Sequence, residues 1–156
     1  MTVRSFAKGL ETACAWVAGM LFLVVFLLSI AEVAQRYLLG QSIVWVSDLS
    51  RLLFVWIVML GAAAAFHQGE HLSVAFIKDA IPLPYRGGVE LFTRVLFGVM
   101  LWVLIFEGLV ISRVRMGIDY VQLGWPSGLA FYAVPVSAAG MIFFLLISIW
   151  DLFRGA

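Results

Sequence analysis

Long runs of apolar residues dominate this chain. Four runs, at about residues 12–35, 44–66, 89–112 and 127–150, are separated by short polar stretches that contain glycine or proline. A membrane-crossing helix needs about 20 mostly apolar residues, and each run is long enough. Because backbone groups inside lipid must be hydrogen-bonded within the segment, these runs predict helices rather than barrel strands. The pattern predicts an all-α integral membrane protein with four transmembrane helices, short loops and one membrane domain over residues 1–156.

The connection between the second and third helices has a pattern of its own. Residues 67–71 are polar, residues 72–81 place Leu72 and Phe76 on one side of a helix, and Pro82 follows. A short helix with one apolar side favours the surface of a bilayer. We therefore expect an interfacial amphipathic helix between helices 2 and 3.

Two features of the sequence predict how the helices pack. Pro135 lies inside the fourth run and should kink that helix, because proline removes one backbone hydrogen bond. Small residues cluster at 61–65 and 137–140, and small side chains let helix backbones approach closely. We expect tight packing at both clusters, within the chain or against another chain.

The composition agrees with lipid as the solvent. Of the 156 residues, 64% are hydrophobic and 12% are charged, whereas soluble proteins are about half apolar and about one quarter charged. The net charge of +1 and the absence of a basic stripe argue against a nucleic-acid partner. Cys14 has no second cysteine for a disulfide or metal site and is interpreted as a small apolar residue. The run after Lys8 starts like a signal peptide, but its uncharged length favours a retained helix.

The basic residues of the loops predict the orientation. One side holds Arg4, Lys8, Lys78, Arg86 and Arg154, and the other holds Arg36, Arg113 and Arg115. Short cytoplasmic loops carry an excess of lysine and arginine, so this bias predicts both termini in the cytoplasm.

Six charged residues lie within the predicted helices and a seventh, Arg36, lies just past the end of the first; ionisable side chains at such depths normally face protein or water. They comprise three pairs spaced by three or four residues and one single carboxylate: Glu32 with Arg36, Asp48 with Arg51, Glu90 with Arg94, and Glu107. Residues at these spacings share a helix face. By depth Glu107 matches Arg51, so we expect these two to pair, with Glu32 nearby. The centre of the bundle has no charge, which favours structural ion pairs over a proton relay, while contacts of some charges with a partner subunit stay open.

The two histidines raise the question of a cofactor. His67 and His71 are four residues apart and lie in the polar connection after the second helix. Haem-binding bundles place histidines on facing helices, and this chain has no third histidine to face them. We expect a loop cap or a partner contact here, and no cofactor or metal.

A group of residues in the second apolar run resembles a known family. Its members are Trp45, Asp48 and Arg51 at the head of the helix, Gly61 and Ala62 near its end, and His71 in the following turn. They resemble the small membrane subunit, of the DctQ type, of tripartite ATP-independent periplasmic (TRAP) transporters. Pro135, the chain length and the four helices resemble that family as well. The chain departs from the family at Ser47, where a second carboxylate is usual, and in its less basic turn after the second helix.

The resemblance implies a function that composition cannot show. The protein would lie in a bacterial inner membrane and bind a large permease subunit. A periplasmic substrate-binding protein would deliver an organic acid, such as a dicarboxylate, and a sodium gradient would drive uptake. The large subunit would hold the substrate and sodium sites. The small subunit would act as a scaffold and help to dock the binding protein, with no catalytic or substrate-binding residue of its own.

Two other functions stay open at this point. The chain could be the membrane anchor of a redox enzyme that binds haem or quinone through His67 and His71. It could also be an independent small channel or exporter, although no helix has a continuous polar stripe.

Overall fold

The computed structural model describes the backbone of residues 2–80 and 86–154, and the side chains of residues 7–66, 87–89 and 91–150. Its helices are α1 (Thr2–Leu39), α2 (Val44–Ala80), α3 (Arg86–Arg115), α4 (Gly128–Phe131) and α5 (Ala133–Arg154). Four stretches of the described chain are long and apolar enough to cross a membrane: Ala7–Leu39, Val44–Phe66, Gly87–Arg115 and Gly128–Trp150. The predicted all-α membrane fold with four spans is confirmed.

Helices α1 and α3 are longer than the predicted helices 12–35 and 89–112. Hydropathy marks only the part of a helix that lies in lipid, whereas polar residues can continue the helix into water. The break after α1 occurs at Gly40, whose φ of 65° lies in the left-handed region that glycine adopts most easily.

The segment predicted as a separate interfacial helix is instead the end of α2, which runs without interruption to Ala80. Its residues are helical, as predicted, but no break separates them from the second span. Gly69 by itself costs a helix only about 1 kcal/mol, and the next proline, Pro82, lies beyond the described part of α2. The position of this segment at the membrane surface stays a prediction.

The bundle is organised around α5. Helix α3 packs mainly against α5, and α2 packs against α1 on one side and α5 on the other, while α2 and α3 make little contact with each other. In the fourth span, which contains α5, 44% of the most apolar part is buried inside the bundle, whereas in the first span, in α1, only 6% is buried. The core is a cluster at the meeting of α2, α3 and α5: Ala63, Leu101, Ala138, Met141 and Leu145.

The predicted kink at Pro135 is found as an interruption one turn earlier. Helix α4 ends at Phe131, four residues before Pro135, and α5 begins at Ala133. A proline ring conflicts with the carbonyl of the residue four positions before it, which explains the break at this point.

A glycine of α3 allows α3 and α5 to approach each other closely beside Pro135. A Cβ atom on Gly108 would lie 2.9 Å from Cδ of the buried Pro135. The predicted small-residue packing is also found, at Ala138 of α5 and at Ala63 of α2.

Candidate functional site

The connection between α3 and α4 folds into a compact structure that we call the cap loop, residues 116–127. The Tyr120 N–H donates to the carbonyl of Trp125 at 2.9 Å, and the Ser127 N–H donates to the carbonyl of Ile118 at 2.8 Å. These bonds let the chain reverse within a few residues. The loop therefore closes this end of the bundle as an ordered element.

Asp48 ties the cap loop to the head of α2. Its side chain is 8% exposed, and its Oδ2 accepts a hydrogen bond from the backbone N–H of Gln122 at 2.9 Å. A buried carboxylate is stable only with donors around it, and hydrogen bonds to charged groups are among the stronger ones. The acidic residue of the motif thus joins the start of α2 to the cap loop.

Tyr120 lies within the electrostatic reach of several charged groups. Partial burial raises the pKa of its hydroxyl above the ordinary value of 10.0, the charge of Asp48 raises it further, and Arg51 and Arg115 lower it. The phenol therefore stays neutral at physiological pH. The charges of two arginines and one carboxylate thus act on this single side chain at the end of the bundle.

Helix α4 is attached to its neighbours by three further contacts. The Trp56 Nε1–H of α2 donates to the carbonyl of Leu129 at 3.1 Å. The Ser127 hydroxyl donates to the carbonyl of Arg115 at 3.2 Å, and the Arg115 guanidinium lies 5.4 Å from the centre of the Phe131 ring. These contacts join α2, α3 and α4 into one rigid end.

The pair predicted at the end of α1 is formed. The Arg36 guanidinium donates to the Glu32 carboxylate, and the two side chains are bonded as an ion pair. The Ser42 hydroxyl lies at the margin of hydrogen-bonding distance from both. The contacts of this pair are therefore confined to α1 and the turn that follows it.

The predicted pairing of Arg51 with Glu107 is not formed. Both side chains are exposed, and no ion pair joins them in the described part of the chain. The reason is the helix order, because α5 separates α2 from α3. Asp48 does not pair with Arg51 either, since its carboxylate is directed to Gln122.

The remaining predicted residues are distributed along the bundle. Arg94 of α3 donates to the Ser148 carbonyl of α5 at 3.1 Å. Trp45 is exposed at the head of α2, while Gly61 and Ala62 point away from the core. The side chains of Glu90, His67 and His71 lie outside the described residues. Among the described side chains, no group of three or more His, Cys, Asp or Glu could hold a metal ion.

The cap loop was missed as an element in the analysis of the sequence. The sequence predicts only a short loop between the third and fourth helices, because residues 116–124 lack an apolar period. The signal was present in the turn-forming pattern that ends at Gly124, Trp125 and Pro126, since glycine and proline at such spacing favour a tight reversal. Nothing in the sequence indicated that Asp48 would accept a hydrogen bond from the backbone at Gln122.

Comparison with known proteins identifies a matching family. The family described as "Tripartite ATP-independent periplasmic transporters, DctQ component" matches residues 25–155. The matched region includes the second, third and fourth spans and the end of α1, with both the cap loop and Asp48.

Individual relatives give the same result. A putative TRAP transporter small permease protein of Haemophilus influenzae is 29% identical over 153 residues, which cover 95% of this chain and 92% of that protein. The sialic acid TRAP transporter small permease protein SiaQ of Vibrio cholerae is 26% identical over 123 residues, which cover 79% of this chain and 71% of that protein.

A longer relative also matches. The sialic acid TRAP transporter permease protein SiaT of Haemophilus influenzae is 30% identical over 129 residues. The match covers 82% of this chain and only 21% of SiaT. The chain therefore corresponds to about one fifth of that protein.

Proposed function

The chain belongs to the DctQ family of TRAP transporter components, and from this premise we propose that it is the subunit that scaffolds the large permease subunit in a bacterial inner membrane. It is a multi-pass membrane protein and a small permease subunit of the TRAP type, and its family is one of transporter components rather than enzymes. The partner of the scaffold is the large permease subunit.

The observation that carries this proposal is the distribution of polar groups in the bundle. The charged groups that bond across the described bundle lie toward the ends of the spans, where Asp48 holds the cap loop and Arg94 holds α5. The polar side chain that reaches from the middle of the second span to another helix is the uncharged Trp56. The fourth span, at the centre of the bundle, has no charged residue. A pathway for a charged solute needs polar groups across the membrane. A bundle built in this way is suited to holding a partner and poorly suited to passing a solute through itself.

The proposed cargo is an organic acid, and the proposed driving force is a sodium gradient. Two relatives are named for sialic acid and one for ectoine, so the names of the relatives support uptake of small organic solutes without agreeing on one. Selection of the solute belongs to the large subunit and to a periplasmic substrate-binding protein. The small subunit contributes no substrate-binding residue in this proposal.

The proposed orientation has both termini in the cytoplasm and the cap loop in the periplasm. The bias of arginine and lysine among the loops supports it. The cap loop would then face the substrate-binding protein. Its rigid attachment to α2 and α4 suits a surface on which another protein docks.

Reconstitution tests the proposed function. This chain and the large permease subunit of the same organism are purified separately and together, and uptake into liposomes is measured with and without a sodium gradient and the binding protein. We expect uptake only when both membrane subunits, the binding protein and the gradient are present. Uptake by this chain alone would support the small-channel alternative, and a haem absorbance band in the purified chain would support the redox-anchor alternative.

A further inference from the structure

Glu107 is a charged residue with no partner in the described part of the chain. It lies on the exposed side of α3, and no hydrogen bond or ion pair joins it to another described residue. At about 1.5 Å per residue, it lies roughly 9 Å along the helix from Arg113 and roughly 20 Å from Arg94. Between these two arginines the sequence has no other charged residue, so Glu107 lies inside the apolar region of α3.

The direction of the side chain prevents Glu107 from reaching the nearer membrane surface. Side chains on a helix lean toward its N-terminus. The surface closest to Glu107 is at the C-terminal end of α3, so its carboxylate leans toward the middle of the membrane. A charge at such depth is costly and normally meets protein or water.

Arg51 shows the opposite geometry and has no such problem. It is also exposed, but its nearer surface is at the N-terminal end of α2, toward which its side chain leans. Its long stem can carry the guanidinium to the interface. The influence of Arg51 on Tyr120 of the cap loop agrees with that position.

The surroundings of Glu107 form a continuous exposed stripe. Residues one turn apart along α3 carry large apolar side chains that nothing in the described bundle covers: Leu96, Met100, Val103, Val110 and Val114. Helical spacing puts them on the same side as Glu107. This side faces away from α5, which packs on the side of α3 that carries Leu101, Gly108 and Ser112.

We propose that this stripe of α3 is the surface that binds the large permease subunit, and that Glu107 forms an ion pair with a lysine or arginine of that subunit. The inference rests on the proposed function and names the face of the chain that performs it. Charge complementarity selects the occupant: lipid tails offer a carboxylate no cation, whereas a helix of a partner subunit can present one at the same depth. The apolar neighbours would exclude water and lipid from the pair.

Co-purification measures the contribution of the charge. The tagged small subunit and the large subunit are expressed together, extracted in a mild detergent, and the ratio of large to small subunit is determined. Glu107→Gln keeps the size of the side chain and removes its charge, so we expect the ratio to fall about tenfold or more, because an unpaired cation is left in the interface. Glu107→Asp keeps the charge, so this variant should retain most of the ratio of large to small subunit found for the unmodified chain.

Glu32→Gln is the matched control. It removes the same charge from a carboxylate whose cation, Arg36, belongs to the same chain. We expect the ratio to stay within about twofold, because the cation left behind is 56% exposed and does not lie in the proposed interface. Equal ratios for Glu107→Gln and the unmodified chain would overturn the inference while leaving the proposed function intact. Failure of the unmodified chain to retain any large subunit would count against the proposed function itself.

Photo-crosslinking locates the face without depending on the charge. A photoreactive amino acid is placed at Val103, one turn from Glu107, or at Val95, which lies about 120° around the helix from Glu107; both side chains are exposed, at 51% and 53%. We expect an adduct with the large subunit from Val103 and not from Val95. An adduct from Val95 only, from neither position, or between two copies of this chain would overturn the inference.

Discussion

At the scale of single residues, buried polar groups decide the stability of this protein. Asp48 and Ser137 are both buried, but they differ in their partners. The Asp48 carboxylate accepts a hydrogen bond from the cap loop, whereas the Ser137 hydroxyl has no partner in the described part of the chain. The first arrangement favours the folded state, and the second opposes it.

Replacement of Asp48 should loosen the cap loop. We expect Asp48→Ala to lower the free energy of unfolding by about 1.5–3 kcal/mol, because it removes an acceptor and leaves the Gln122 N–H without its bond. Asp48→Asn keeps an oxygen and should cost less. Thermal unfolding in detergent measures both, with the exposed Asp119→Asn as a control that should change little. Equal melting temperatures for Asp48→Ala and Asp119→Asn would contradict this expectation.

Removal of the Ser137 hydroxyl should not harm the fold. We expect Ser137→Ala to leave the stability unchanged or to raise it by about 1 kcal/mol, since a buried group without a partner is lost. Ser112→Ala is the matched comparison, because the Ser112 hydroxyl donates to the Gly108 carbonyl at 2.6 Å. Unfolding in a denaturing detergent compares the two. A larger loss for Ser137→Ala than for Ser112→Ala would refute the assignment.

The Tyr120 phenol predicts a sensitivity to alkaline pH. Because its pKa is raised above the ordinary 10.0 in the folded protein, the unfolded chain loses the proton first as the pH rises. The stabilisation is complete below the ordinary pKa and is lost as the pH rises through the folded value. Melting temperatures measured from pH 8 to 11 should fall less steeply for Tyr120→Phe than for the unmodified chain. Identical slopes would show that Tyr120 has no part in the alkaline loss.

At the scale of the elements, close helix contacts depend on particular glycines. A Cβ atom on Gly128 would lie 2.5 Å from the Ser112 carbonyl oxygen, and on Gly108 it would lie 2.9 Å from Pro135. Gly61 has no neighbour within 4 Å of the same position. Comparison of substitutions at the three glycines therefore distinguishes the effect of packing from the effect of helix propensity.

Alanine substitution should lower the stability at two of these glycines and raise it at the third. We expect Gly128→Ala and Gly108→Ala to destabilise the bundle by about 1–3 kcal/mol, because backbone or a proline ring must move. Gly61→Ala should stabilise it by up to about 1 kcal/mol through helix propensity. The measurement is thermal unfolding of the three variants in one detergent. A stabilised Gly128→Ala variant would contradict the packing of α4 on α3.

The helices were predictable from the sequence, whereas their neighbours were not. Runs of apolar residues mark spans because lipid excludes unpaired backbone groups. Depth can be counted along such a run, and on that basis Arg51 and Glu107 were paired. The sequence does not give the order in which the helices pack or the neighbour that each helix face contacts, because a helix in lipid is apolar on every face. The position of α5 between α2 and α3 made that pairing wrong.

At the scale of the whole molecule, the bundle is open rather than closed. Helix α1 lies at one edge and packs almost entirely on α2, and α3 lies at the other edge against α5. Both edges expose many large apolar side chains to the surroundings. Hydropathy treats lipid and a partner subunit alike, so the sequence could predict membrane insertion but could not assign one edge to the partner. We propose the α3 edge for the partner because Glu107 on that edge has no ion-pair partner among the described residues.

Cysteine labelling tests the orientation of the molecule. In a Cys14→Ala background, Val121→Cys places a thiol on the cap loop, where the side chain is 90% exposed. We expect a membrane-impermeant maleimide to label it in cells whose outer membrane has been made permeable. Gly88→Cys, at the opposite end of α3, should be labelled only after the inner membrane is broken. The reverse pattern would place the termini in the periplasm.

The central position of α5 has a consequence for biosynthesis. Helices α1, α2 and α3 leave the ribosome before α5, yet α2 and α3 meet mainly through it. Helices α1 and α2 can pack on each other as soon as both are inserted, whereas α3 is synthesised before its main neighbour, α5. A chain interrupted before residue 128 would hold α3 without α4 and α5, the two helices on which it mainly packs.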